Sequence, residues 1–433
     1  MPLFRTLILL SLMALSNASA QAQLTYIGLG ALSNVRTAQS QSTNSITYWP
    51  NMQVLDGYIY VPTYSGLYRK SLATLQDTTW QLYAFGGYPI RTFAKKGDTV
   101  LAATDREAGT HLLLRSTDNG RSFTDHTSPV LLNNQGSSLV IRMGQNPRNP
   151  NSLVILNQRS GILKSTDFGN TWTQLNPFLG GYQDWFAQFN PNDTSNILYT
   201  GEQIFFQSYI QATYDNGATW KKVDSLQTHC THGIAFHPTD KNRMVAYGEG
   251  RLTKSTDQGR SWTTVGTLPV YLYKSLYDPQ NPDLVYATGD VQGVDDTLQV
   301  FRSTDGGDHW SLFYRKQLPD ADGIVDMGWY QNKLILYTMT NGVYILDATT
   351  QQVTNPSLPL ATVYPNPTRN RIQVQSAQEI KAVTVYDGTG KRWMQEQVQG
   401  NTTSLDLQAL PVGTYQLVVQ LASGSTSIQV SRY

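Results

Sequence analysis

Residues 116–123 read STDNGRSF, and the phrase returns as STDFGNTW at 165–172, TYDNGATW at 213–220, STDQGRSW at 255–262 and STDGGDHW at 303–310. Each copy sets a hydroxyl residue first, an aspartate two places on, a glycine two places later and a large ring last. The order has a mechanism. A carboxylate at that position accepts hydrogen bonds from nearby backbone N–H groups and holds a turn. Glycine enters left-handed backbone without a Cβ clash. The ring packs beneath the turn, and the flanking apolar residues continue as strands. Asp118, Asp167, Asp215, Asp257 and Asp305 are therefore expected to be structural.

Successive aspartates are separated by 49, 48, 42 and 48 residues. A period of about 40–50 residues built from short strands and turns predicts a β-propeller with one blade per repeat. A blade cannot bury both its faces alone, so it stacks on its neighbours. Upstream of the later copies lie turns at Asn146, Asn190, His237 and Asp278, each followed by proline. Second strands follow at 153–156, 197–200, 244–247 and 284–287. The position three before each hydroxyl is apolar (Leu113, Ile162, Ile210, Leu252, Val300), as a face buried between blades requires. Degenerate blades flank the five, one from 58–62, 66–70 and 80–85 with Trp80 in the ring position, one from 324–329, 334–339 and 343–346. The stretch from 24 to 357 divides into seven units of roughly 48 residues. Residues 24–29 are left to supply the outer strand of the last blade. The expected fold is all-β, a seven-bladed β-propeller (six or eight as alternatives) followed by a small Ig-like β-sandwich.

On these hairpins the chain resembles the Asp-box, or BNR-repeat, propellers of sialidases, sortilin-type receptors, xyloglucanase-like glycoside hydrolases and photosystem-assembly proteins. The resemblance implies the fold. Those families do different things, so it does not by itself name a function.

A formal charge of +1 and 15% charged residues leave no basic field for nucleic acid. One cysteine, Cys230, excludes an internal disulfide framework. Residues 1–20 read as a secretory signal peptide: Arg5, an apolar run at 7–15 too short to span a bilayer, and Ala18-Ser19-Ala20 for the peptidase. The mature chain is expected to start near Gln21 and to be soluble, with no membrane-spanning segment.

In a four-stranded blade the boxes, between strands three and four, lie on one face. The connections between strands two and three, and the links between blades, lie on the other. That other face carries Asp105, Glu107, Glu202, Glu249, Asp290, Asp295 and Asp296 on the former, and Tyr88, Tyr182, Asp184, Trp185, His229, His232, Tyr271, Tyr273, Asp320 and Asp322 on the latter. Rings and carboxylates at one mouth suit sugar stacking, hydroxyl recognition or a hard cation such as calcium. The same composition also suits ordinary polar loops. Asp105, Asp184, Trp185, Glu202, His232, Glu249, Asp290 and Asp322 are the ligand-face candidates. No catalytic residue, metal ligand or cofactor is assigned.

A glycoside hydrolase needs two flanking carboxyl groups, which Asp184 with Asp322, or Glu202 with Glu249, can supply. A sialidase needs three arginines on a carboxylate. Arg91 and Arg142 lie on first strands, a third equivalent is not evident, and YPIR at 88–91 has the signature letters in the wrong order. His229, Cys230, His232 and His237 look like a metal cluster, but the repeat puts His237 at the far end of the strand from His232, roughly 15 Å away. No phosphate loop, dinucleotide fingerprint or nucleophile elbow is present. The favoured reading is a binding module for a glycan or a surface protein, with a polysaccharide-active glycoside hydrolase as the alternative.

Near residue 357 the repeat stops and prolines 356, 359, 365 and 367 mark an extended linker. YPNPT at 364–368, VYDGTGK at 385–391 and LPVGTYQLVV at 410–419 then resemble the type A C-terminal sorting domain of the type IX secretion system, although the end, SIQVSRY, is less basic than in many members. The resemblance implies folding in the periplasm, handling by the type IX secretion machinery, and removal of this domain on release or attachment to surface lipopolysaccharide. The expected domains are 1–20 signal peptide, 21–357 propeller and 358–433 sorting domain.

Overall fold

The structure is a computed structural model and describes residues 24–30, 51–104, 111–132, 140–157, 160–176, 183–203, 207–224, 231–290, 297–317, 324–338, 341–349, 361–365, 368–387, 391–421 and 424–433. The chain divides into two units, Met1–Gln351 and Gln352–Tyr433. The signal-peptide segment lies outside the described residues.

In the first unit short strands return on themselves as antiparallel sheets. Sheet I is Gln53–Leu55, Tyr58–Thr63, Gly66–Ser71 and Gln81–Ala84. Sheet II is Ile90–Lys96, Thr99–Thr104, Leu113–Ser116 and Thr124–Asp125, and sheet III is Val140–Gln145, Leu153–Asn157, Gly161–Ser165 and Thr173–Asn176. Sheet IV is Gln183–Asn190, Asp193–Gln203, Gln207–Thr213 and Lys221–Asp224. In each, chain order is spatial order. Sheet VI runs Leu24–Tyr26, Val343–Asp347, Lys333–Thr338, Ile324–Tyr330, so the N-terminal segment closes the last sheet.

Sheet V differs from the expected separate blades. It joins six strands: Thr231–Phe236, Met244–Ser255, Thr263–Tyr277, Val285–Asp290, Thr297–Ser303 and Ser311–Gln317. The cause is the shortness of its connections. Only residues 268–270 separate the part of Thr263–Tyr277 that pairs with Arg251–Lys254 from the part that pairs with Val285–Asp290. Elsewhere five or more residues make that link, five at 85–89, six at 177–182 and 225–230 and fourteen at 126–139. With so few residues to spare, the backbone stays extended throughout. Tyr271 and Tyr273, expected on a link, therefore lie within a strand.

Among the described residues apolar side chains form six clusters between successive sheets and a seventh within the six-stranded sheet. Leu113, Ile162, Ile210, Leu252 and Val300, the positions three before each hydroxyl, are fully buried and fall in five different clusters. The six-stranded sheet folds on itself, with Val245 and Tyr247 packed in one cluster with Val285 and Ala287. Another cluster joins Ile335, Tyr337 and Val343 of sheet VI to Ile59 and Val61 of sheet I, with Ile27 between them.

The boxes share one hydrogen-bond scheme. In the first, Gly120 N–H donates to Ser116 Oγ at 2.9 Å and Ser122 N–H to Asp118 Oδ1 at 2.9 Å. The Ser122 hydroxyl donates to Asp118 Oδ2 at 2.5 Å. Asn119 and Gly120 are both left-handed, at φ 60° and 84°. Glycine is needed at the second place for room as well, since a Cβ there would lie 2.4 Å from Tyr83 O. The same bonds recur around Asp167, Asp215 and Asp257. At Asp305 the ring of His309 replaces the hydroxyl, at 2.6 Å.

In the second unit Arg371–Asp387 pairs along its length with Arg392–Asp406. Its first part also pairs with Thr362–Tyr364 and its second with Gly413–Leu421, which pairs in turn with Gly424–Arg432. Ile372, Val383, Leu405, Leu417 and Val430 are among the buried residues of its own core.

Candidate functional site

Six first strands carry the same irregularity. Where each pairs with its second strand, one extra residue is inserted: Arg91, Ile141, Trp185, His232, Tyr273 and Val325. Such a bulge bends the strand and re-aims its side chains, and it recurs beside functional sites in other proteins. Five lie near the start of their strands, and Tyr273 near the start of the part of Thr263–Tyr277 that pairs with Val285–Asp290. In sheet III, Val140 aligns with Asn157 and Gly161 at one end, and Gln145 with Leu153 and the box residue Ser165 at the other. Gln145 lies four steps beyond Ile141, about 14 Å of strand. The bulges thus lie at the end away from the boxes.

Three of the inserted residues touch in sequence around the unit. Trp185 and His232 have ring centroids 4.8 Å apart, and His232 and Tyr273 5.6 Å apart. His232 is 7% exposed and Trp185 8%, while Tyr273 is half-buried. His232 Nδ1 donates to Leu272 O at 2.7 Å, which fixes the ring and its tautomer. Burial pushes its pKa down to about 4, against the opposing pull of that bond. The imidazole is neutral at pH 7.

The residues just after the bulges are Thr92, Arg142, Phe186, Gly233, Lys274 and Asp326. They build a polar node. Asp326, 1% exposed, meets Lys274 Nζ at 2.8 Å and accepts the Met52 N–H at 2.6 Å, binding sheets V, VI and I together. The Arg142 guanidinium lies over the Phe186 ring, 5.7 Å from its centroid. A Cβ on Gly233 would meet Tyr247 Oη at 2.4 Å and Phe186 Cδ2 at 3.3 Å, so glycine lets Tyr247 reach the first strand. Burial raises the Tyr247 pKa, and Lys274, Arg142 and Asp326 all act electrostatically on that hydroxyl.

The sequence candidates are distributed unevenly over this site. Trp185 and His232 are in contact. Glu249 pairs opposite Tyr271, which pairs opposite Asp290, so one rung aligns the three backbones. Glu202 stands opposite Gln183, next to Asp184. Asp184, Trp185, Glu202, Glu249 and Asp290, expected on connections, all lie within strands, because the strands run further toward this rim than their apolar cores imply. Asp105, Glu107, Tyr182, His229, Cys230, Asp295, Asp296, Asp320 and Asp322 lie outside the described residues. No cluster of metal-ligating side chains occurs among the described residues. Sequence reasoning missed Lys274, Asp326 and Tyr247. A signal for the first was present: counting back four from the turn residues Asn146, Asn190, His237 and Asp278 gives Arg142, Phe186, Gly233 and Lys274.

Residues 362–431 match the family model described as the secretion system C-terminal sorting domain, and residues 208–383 the model described as sortilin, neurotensin receptor 3. Xyloglucanase Xgh74A of Acetivibrio thermocellus is 25% identical over 271 residues, 52% of this chain and 30% of that protein. The human VPS10 domain-containing receptor SorCS1 is 28% identical over 133 residues, 29% of this chain and 11% of the receptor. The chain spans less than a third of the length of these relatives. Among solved structures, the GH74 xyloglucanase from Xanthomonas campestris superposes with a TM-score of 0.57 at 15% identity, covering 95% of this chain and 74% of that one. YCF48 bound to D1 peptide does so with a TM-score of 0.52 at 13% identity, covering 77% of this chain and 96% of that one. No helix among the described residues is long and apolar enough to cross a membrane. The first unit has the fold of a BNR-type β-propeller, which it shares with YCF48 and the GH74 xyloglucanase, its part from residue 208 on falls in the sortilin match, and the type IX C-terminal sorting domain that follows indicates secretion or attachment at the cell surface.

Proposed function

We propose that the first unit is a seven-bladed ring, with the six-stranded sheet supplying two blades, and that it acts as a binding module for a glycan or a surface protein. The second unit is read as a small Ig-like sandwich that serves export. Six clusters between successive sheets, one of them joining last sheet to first, and a seventh between the two halves of the six-stranded sheet support the blade count. The observation that carries the binding reading is the run Trp185, His232, Tyr273, contributed by successive first strands at the rim away from the boxes. Aromatic side chains beside convergent polar groups suit a carbohydrate or peptide surface. The five box aspartates are spent on their own turns.

A glycan array probed with the full chain, with product analysis of every retained sugar, tests this. Retention without cleavage is expected. Hydrolysis is the second reading, favoured by the match to xyloglucanases over 271 residues. Asp184→Asn, Glu202→Gln, Glu249→Gln and Asp322→Asn, made singly, separate the two: an enzyme loses turnover and keeps affinity. If the array and a surface-protein pull-down both stay empty, the binding reading falls.

A further inference from the structure

In the second unit one long strand is left open on one side. Arg392–Asp406 pairs with Arg371–Asp387 along one edge, and among the described residues no strand pairs with the other. The remaining margins are short or held. Thr362–Tyr364 has three residues, and at the end of Gly424–Arg432 Thr368 donates its N–H to Ser431 O at 2.8 Å and accepts that of Tyr433 at 3.0 Å. An exposed edge offers N–H and C=O groups to any strand that reaches it, and lysine, proline or shortness ordinarily guards it. Arg392–Asp406 has none of these guards. Its residues 397–405 read QVQGNTTSL, without a charge.

The strand is bent. Thr403 Oγ1 donates to Glu396 Oε1 at 3.0 Å, although seven steps of straight strand would span about 23 Å. Gly400, at φ 129°, lies at the bend. On one face Val398 and Leu405 are buried. The exposed positions are Gln395, Gln397 and Gln399 before the bend and Thr402, Ser404 and Asp406 after it. That row is symmetric about Gln399. A second copy laid antiparallel across Gln399 sets Gln397 opposite Thr402, Gln395 opposite Ser404 and, at both ends, Arg392 opposite Asp406. Amides then meet hydroxyls, and opposite charges meet where like ones would destabilise the pair. The Arg392 guanidinium donates to Gln395 Oε1 at 3.1 Å and pairs with no carboxylate among the described residues. Asp406 is 45% exposed beside Arg371 and has room for a second cation.

We propose that the full chain self-associates through this edge, two copies pairing Arg392–Asp406 antiparallel about a two-fold axis at Gln399. A second copy is favoured over an unrelated strand because the charge order of this strand is complementary to itself, as a two-fold contact requires. The bend lies beside the axis, so both copies turn the corner together. The pairing lasts only while the second unit is attached.

Sedimentation equilibrium of the full chain over a wide concentration range tests this. A monomer–dimer equilibrium is expected. Gln399→Lys and Gln399→Glu each set like charges against one another at the axis and should weaken association by about tenfold or more. Their thermal midpoints should match the parent, since the side chain is exposed. Mixed in equal amounts, the two variants should associate at least as well as the parent, and added salt should shrink the difference between mixed and single samples. Gln420→Lys, exposed on the inner strand Gly413–Leu421, should leave association unchanged. A chain that stays monomeric throughout overturns the proposal. A dimer that both Gln399 variants leave intact overturns it as well, since another surface then holds the copies together. Loss that mixing fails to restore does the same, because the strands then do not meet at Gln399. Growth past the dimer also overturns it, because a two-fold pair closes on itself.

Discussion

His237 does with a ring nitrogen what Asn146 does with an amide oxygen. Asn146 Oδ1 accepts N–H bonds from Arg148 and Asn149, and Asp278 accepts equivalent ones in its own turn. In the same place His237 Nδ1 accepts from Thr239 at 3.2 Å and Asp240 at 2.9 Å, which requires it to be unprotonated. Burial, then the nearby Arg243 guanidinium, lower its pKa. His232 is lowered too, to about 4. Both histidines therefore bind protons more readily unfolded than folded. Their stabilising effect is complete above the unfolded value near 6.5 and fades as pH falls through the folded values. For His232 this amounts to about 3 kcal/mol between pH 6.5 and 4. Urea unfolding at pH 7, 5.5 and 4 should show the decline, and His232→Asn with His237→Asn should flatten it. The boxes respond at lower pH. The hydroxyl and N–H of Ser122 hold Asp118 down to about 2, and those of Thr219 do the same for Asp215. Their contribution persists above the usual carboxylate range and disappears only as pH drops toward 2. The turn role of the aspartates was legible because every partner lies within four residues. The polar node was not, because one repeat position is filled by Arg, Phe, Gly, Lys and Asp, and its meaning arises only when strands far apart in sequence are brought together.

At the scale of the element, two kinds of contact join one box-bearing repeat to the next, and they differ in weight. The basic residue before the box hydroxyl reaches the following box: Arg115 to Asn170, Lys164 to Asn216, and Lys254 to Asp308 at 2.8 Å. Two positions earlier, Leu252 is wholly buried between Val245 and Val285 in one apolar cluster. Asp308 is half exposed, so water screens its pair with Lys254. Lys254→Met should then cost less than about 1 kcal/mol. Leu252→Ala should cost about 2–5 kcal/mol by loss of contacts and the cavity left behind. Equilibrium urea unfolding of the two variants checks the ordering. The apolar period was readable because burial constrains residue type directly. The bulges were not, because an inserted residue exists only relative to the strand opposite. Nor was the six-stranded sheet, since Leu268-Pro269-Val270 reads as a link and is extended only because it is too short to turn.

Over the whole first unit, the decisive contact joins residues from opposite ends of the sequence. Leu24 pairs with Leu346, Ile27 N–H donates to Val343 O at 2.9 Å, and Trp80 Nε1 donates to Ile27 O at 2.7 Å. A chain starting at residue 31 should lose cooperativity and become protease-sensitive in sheets I and VI, while the other sheets hold. Limited proteolysis with mass mapping reads that difference. Deleting residues 361–433 should leave the protein in the periplasm, and fractionation of cells expressing the shortened chain decides it. The leading segment was legible as a spare strand because the repeat count left it unassigned. That arrangement also sets an order of events. A nascent chain halted at residue 300 is an arc with both outer edges bare, open to self-association. Its leading strand waits for almost the last of the unit, so maturation is governed by the slowest, most distant encounter. A holdase acting during transit would do most by shielding that waiting edge.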